Sequence, residues 1–176
     1  MKQEKTKALL VIDIQNDYFD GGAMPLNGAA KAAENAKLAI EKFRSENWPV
    51  IYIQHIAARP EAGFFKAGTA GAEIYAALKP LAGERVIVKH YPNSFRDTEL
   101  LDALKALNPA ELVICGMMTH MCVDTTVRAA RDHRLSAVVV TDACATKSLA
   151  YRGRMYTAEA VHEIFLAALG EGFAEL

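Results

Sequence analysis

The chain has 176 residues, 52% of them hydrophobic, and a net charge of -1, which is enough apolar content for one substantial core. Acidic and basic residues are interspersed, so there is no basic stripe for nucleic acid or an anionic membrane, and a small-molecule substrate is the favoured partner. No apolar run approaches the roughly 20 residues of a membrane span and no signal core follows the charged opening segment, so a cytoplasmic protein with one domain over residues 1–176 is expected.

The first apolar run, Leu9-Leu10-Val11-Ile12, is closed by Asp13 and reads as a strand. A Gly-rich stretch at Gly21-Gly22 and Gly28 leads into a helical pattern through Ala36, Ile40 and Phe43. Pro49-Val50-Ile51-Tyr52-Ile53 starts a second strand, and the segment from His55 to Gly71 reads as a long loop of the kind that carries function, followed by a short helix from Glu73 to Leu78. Val86-Ile87-Val88 is a third strand ending at Lys89. Leu100, Leu101, Leu104 and Leu107 then recur at helical spacing until Pro109 stops them. Leu112 to Cys115 is a fourth strand that breaks at Gly116, and a helix opening near His120 carries Val123, Val127, Ala130 and Arg131. Ala137-Val138-Val139-Val140 is a fifth strand. The last helix shows Val161, Ile164, Phe165, Ala168 and Leu169 on one face.

Strands that are apolar throughout and alternate with amphipathic helices indicate a parallel sheet covered on both sides. The expected fold is therefore α/β, a three-layer, doubly wound, Rossmann-like sheet with helices on both faces. Such folds bind ligands beyond the carboxyl ends of their strands, where the strand order reverses. Asp13 ends the first strand, Lys89 ends the third and Cys122 follows the fourth after a short loop, so an acid, a base and a thiol can project from one edge. A helix start favours a thiolate, which gives Cys122 the placing of a nucleophile. The other two cysteines, Cys115 and Cys144, lie in or just after apolar strands and read as small buried hydrophobes.

These residues carry a resemblance. Val11-Ile12-Asp13-Ile14-Gln15-Asn16-Asp17-Tyr18-Phe19, Val88-Lys89 followed by Ser94-Phe95, and Gly116-Met117-Met118-Thr119-His120-Met121-Cys122-Val123 with Thr126, Ala129 and Ala130 beyond it resemble the isochorismatase-like cysteine hydrolases, in family order and nearly end to end. The resemblance implies a six-stranded parallel sheet, a catalytic triad of Asp13, Lys89 and Cys122, and a homo-oligomer. It also implies a cis peptide joining Met117 to Met118, with the Met118 and Cys122 backbone N–H groups forming an oxyanion hole.

The implied reaction is hydrolysis of a small-molecule C–N bond of amide, carbamoyl or ureido type, with a thioester on Cys122. Tyr18, Phe19, Phe64, Asn93 and His120, the last in the nucleophile turn, are candidates to line the substrate pocket. His90 directly follows Lys89, and strand alternation predicts that it faces away from the pocket. The nicotinamidase branch carries an Asp-x-His metal motif after its second strand. Here Tyr52-Ile53-Gln54-His55 has no Asp two residues before His55, so no metal site is expected. Without a GxGxxG after the first strand, no dinucleotide cofactor is expected either. Three rivals stay open: vinyl ether cleavage of the isochorismatase type, a thiol redox sensor pairing Cys122 with Cys115, and a catalytically silent binding protein.

Overall fold

A computed structural model describes residues 6–59 and 61–176; the charged opening segment before Thr6 and Pro60 lie outside the described residues. Five strands form the main sheet: β1 (Lys7–Ile12), β2 (Val50–His55), β3 (Arg85–Lys89), β4 (Glu111–Met117) and β5 (Ala137–Ala145). Their spatial order is β3-β2-β1-β4-β5 and all pairs are parallel. The direction of winding reverses between β1 and β4, so the crevice expected of such a sheet opens beyond Ile12 and Met117.

Alternation along the strands separates two apolar layers. Leu9, Val11 and Tyr52 pack with α1 (Ala29–Ser45) through Ala32, Ala36, Ile40 and Phe43. Ala8, Leu10, Ile12 and Ile114 pack on the other side with α2 (Leu100–Leu107), α3 (Asp124–Asp132) and α4 (Ala158–Gly170). The predicted parallel sheet with helices on both faces is what forms, because strands buried on both sides need apolar residues at every position. No helix of the described residues is long and apolar enough to cross a membrane.

Several local expectations are corrected. Among the described residues the sheet has five strands where the resemblance implies six; beyond β5 the segment at Glu175 contributes a parallel bridge, in which Val139 N–H donates to Glu175 O and Glu175 N–H to Ala137 O. Between β5 and α4 lies an antiparallel hairpin, β6 (Leu149–Tyr151) and β7 (Arg154–Tyr156), that the apolar periodicity did not indicate. Its two-residue turn, Arg152-Gly153, has φ of 49° and 76°, the left-handed pair that matches hairpin twist. The helix expected from Glu73 to Leu78 is instead two single turns, Ala70–Ala72 and Ala76–Leu78. On α4 the inward residues are Val161, Leu166 and Leu169, while Ile164 and Ala168 face outward. Apolar side chains encircle that helix, so its composition alone does not select a face.

Candidate active site

Asp13 follows the last residue of β1 in the left-handed region, at φ 51°, a conformation that aspartate tolerates better than most side chains. Its N–H donates to Ile53 O, which ties the turn to the end of β2. The carboxylate is fully buried. Lys89 ends β3, two strands away, a separation of about 10 Å at ordinary strand spacing. Only a long side chain spans that gap. Lys89 does so with its stem wholly buried, and its Nζ lies 2.8 Å from Asp13 Oδ2.

The ammonium is also directed at the Pro92 carbonyl, to which it donates at 2.9 Å. With Asp13 the ammonium forms a buried ion pair at Oδ2, and Lys89 is the cation that faces the carboxylate there. Burial pulls the Lys89 pKa down, but the charges of Asp13 and Cys122 outweigh it and hold the group above the ordinary lysine range. Thr126 of α3 secures this arrangement from behind: its hydroxyl donates to Ser94 Oγ at 2.9 Å and accepts from Ser94 N–H at 3.1 Å, fixing the turn that presents Pro92.

Cys122 lies in a π-helical turn, Thr119–Val123, that leads directly into α3. Met117 and Met118 are joined by a cis peptide, and the Met118 carbonyl accepts from Met121 N–H at 3.0 Å and Val123 N–H at 3.3 Å. The thiol is buried, and its pKa is raised by that burial first and by the Asp13 carboxylate second, with Lys89 opposing. Desolvation thus works against the thiolate that the helix start favours, and the lysine works for it.

His55 is the residue that the reading of the sequence set aside and the structure brings in. Its parallel partner across β2 and β3 is Lys89, so both side chains leave the same face at the same edge. His55 Nδ1 lies 3.8 Å from Asp13 Oδ2 and 4.0 Å from Cys122 Sγ. One donor atom each of Asp13, His55 and Cys122 lies within 4.8 Å of the others. The signal that could have found it is positional: β2 runs between the strands of Asp13 and Lys89, so its last residue must enter the space that joins them.

Gln15 clamps His55 in place. Its carboxamide oxygen accepts from His55 N–H at 2.7 Å, while its nitrogen donates to His55 O at 2.9 Å and to Ala72 O at 2.7 Å. The Gln15→Leu variant removes both partners of the part-buried His55 backbone groups, while Ala72 O keeps its bond from Gln54 Nε2 at 2.9 Å; at about 1–3 kcal/mol for each unpaired group, chemical denaturation is expected to show a loss of stability. An unchanged denaturation midpoint would refute the clamp.

His55 opens onto a cavity of ≈ 290 Å³ lined also by Arg59, Phe64, Phe65, His90, Tyr91 and Pro92. His90 therefore faces the cavity, contrary to the alternation argument, because β3 has already ended at Lys89; its Nδ1 is paired with Ile56 O at 2.8 Å. Asp17 shapes the aromatic wall, its carboxylate accepting from Phe65 N–H at 2.6 Å and from Ala23 N–H at 3.1 Å.

The other pocket candidates divide. Phe64 lines the cavity, and Tyr18 buttresses it from the core, 4.7 Å between ring centres from Phe65 and 6.0 Å from Phe64. Phe19 stacks on Tyr75 at 3.6 Å and belongs to a separate hollow near α1. Asn93 accepts from Phe95 N–H at 2.9 Å, a turn-forming bond. His120 pairs with Thr146 and meets the edge of Phe165, so it is engaged away from the thiol. Cys115 packs in the α1 layer and Cys122 in the α3 layer, on opposite faces of the sheet, which speaks against the redox pairing.

The fold is doubly wound α/β, and an acid, a lysine and a cysteine converge at its switch point, where such folds bind ligands. Residues 7–168 match the Isochorismatase domain. The chain is 49% identical over 169 residues to the isochorismatase family protein YddQ of Bacillus subtilis, covering 96% of this chain and 94% of that protein. A solved structure from Oleispira antarctica superposes with a TM-score of 0.94 at 43% identity, covering 99% of this chain and 94% of that one. Nicotinamidase 3 of Arabidopsis thaliana is 28% identical over 98% of this chain and 84% of its own length. The chain belongs to the isochorismatase family.

Proposed function

We propose that this protein hydrolyses a carbonyl C–N bond of a small molecule through a thioester on Cys122. The observation that carries the reading is the buried Asp13-Lys89 ion pair set beside the buried Cys122 thiol. Attack by the thiol needs a base to take its proton, and Asp13, buried beside Cys122 with Oδ1 free of hydrogen bonds among the described residues, is that base. Lys89 holds negative charge on the Asp13 and Cys122 pair as the proton moves.

The Cys122 sulfur adds to the carbonyl carbon, and the resulting oxyanion is received by the backbone N–H groups of Met118 and Cys122. Protonated Asp13 then gives its proton to the departing nitrogen, the C–N bond breaks and a thioester remains. Water, deprotonated by Asp13, attacks the thioester and releases the acid, restoring the thiol. The aromatic wall of Phe64, Phe65 and Tyr91 suits a small, partly apolar acyl group.

The test is a panel of small amides, carbamoyl and ureido compounds, read by ammonia or amine release together with intact protein mass. A productive compound is expected to leave an acyl adduct that maps to Cys122. Retained turnover in Cys122→Ala on that compound would sink the mechanism.

A further inference from the structure

The same cluster has the composition of a soft-metal site. Asp13, His55 and Cys122 offer one carboxylate oxygen, one imidazole nitrogen and one sulfur, all within 4.8 Å of one another. Zinc sites with three protein ligands use these donor types at bond lengths of about 2.0–2.3 Å, which puts neighbouring donors about 3.5 Å apart around a tetrahedral ion. His55 Nδ1 is 3.8 Å from Asp13 Oδ2 and 4.0 Å from Cys122 Sγ, so small side-chain rotations close the remaining gap. A second observation points the same way: Asp13 Oδ1 is fully buried with neither a hydrogen bond nor an ion-pair contact among the described residues, a state that invites a ligand.

We propose that Asp13, His55 and Cys122 form a binding site for a thiophilic divalent cation of the zinc type, and that its occupancy caps the nucleophile. Magnesium and calcium are disfavoured, since they call for six or more oxygen ligands and the cluster supplies a single carboxylate. Gln15 serves as the outer support, holding His55 by both backbone groups, and the cavity in front of His55 is the route of entry. Binding exchanges a proton for the metal: the Cys122 S–H bond breaks, a sulfur-metal bond forms and the proton leaves to solvent. The Lys89 ammonium, 2.8 Å from Asp13 Oδ2, is a competing cation. The site therefore works as a reversible brake rather than as the seat of a permanent ion. The braking effect rests on the hydrolase reading, whereas the binding itself does not.

The probe is cobalt(II) added to the full-length protein, since a cysteine ligand gives a sulfur-to-cobalt charge-transfer absorption that reports the bond directly. One cobalt per chain with that absorption is expected, retained in Cys144→Ser and absent in Cys122→Ser. His55→Ala should weaken retention by more than about 100-fold, beyond the loss usual for outer-shell supports. Thermal melting of each variant shows that it is folded, and His55→Asn provides a milder change if alanine is not tolerated. Zinc should also slow alkylation of Cys122 by iodoacetamide. No charge-transfer band in the wild-type protein, or a band that survives Cys122→Ser, would overturn the proposal. The acyl-adduct experiment run in chelator separates the two ideas: a cobalt band without any adduct leaves the metal site standing and removes the hydrolase reading.

Discussion

Asp13→Asn is expected to abolish turnover and to destabilise the fold together, because one carboxylate is both the proposed base and the anion paired with a buried ammonium. Loss of a general base costs about 10²–10⁴-fold in rate, read as kcat on the compound found in the panel. The stability effect needs no substrate. Breaking a buried ion pair from one side leaves an uncompensated charge and costs about 3–5 kcal/mol, measurable by urea unfolding. Asp13→Asn with Lys89→Met removes both charges, and it should recover much of that stability while remaining inactive. A single variant as stable as the wild type, with no gain in the double variant, would show that the pair is not an energetic unit.

The pH dependence follows with a definite sign. The folded pKa of Lys89 lies above its unfolded value, so its contribution is complete below the ordinary lysine pKa, including at neutral pH, and is lost only as pH rises through the folded value. The difference in stability between wild type and Asp13→Asn should accordingly be full near neutrality and shrink in strongly alkaline solution.

Gly116→Ala is expected to be the most damaging single methyl group in the chain. Gly116 pairs with Ile12 across β1 and β4, and a Cβ there would sit 2.0 Å from the Ile12 carbonyl oxygen. Its φ of 134° is closed to ordinary side chains as well. The atoms met are all Ile12 backbone, so no rotamer change relieves the clash. The pairing of β4 with β5 also shifts register between Ile114 and Gly116, a bulge that re-aims the chain toward Met117 and Met118. Prising β4 from β1 would thus separate Asp13 from the Cys122 turn. A destabilisation above about 4 kcal/mol is expected, enough to prevent recovery of folded protein. Gly28→Ala is the control: it has a φ of 73° but nothing within 4 Å, so its cost is the left-handed conformation alone, about 1–2 kcal/mol. Equal stability of the two variants would refute the close-approach account.

The strands and their ends were legible because their signal is local. Val11, Ile114 and Val139 sit in runs apolar at successive positions, which only a sheet buried on both faces requires, and Asp13 and Lys89 interrupt such runs with charge. Cys122 could be placed from the Gly116 break. The hairpin at Tyr151 and Arg154 and the facing of α4 escaped, since one is too short for periodicity and the other is apolar on all sides.

What the chain determined by itself is therefore which charged and nucleophilic residues reach one edge of the sheet. What tertiary structure alone decided is how they are held and what state they take. Gln15 is 40 residues from His55 and 57 from Ala72, and Asp17 is 48 from Phe65, so no local pattern encodes those bonds. The protonation of Cys122 likewise depends on how much water the assembled layers exclude and how near Asp13 and Lys89 come. Burial and distance across the sheet are properties of the packed molecule, and they set the desolvation that raises the Cys122 pKa against the helix start and Lys89, which favour the thiolate.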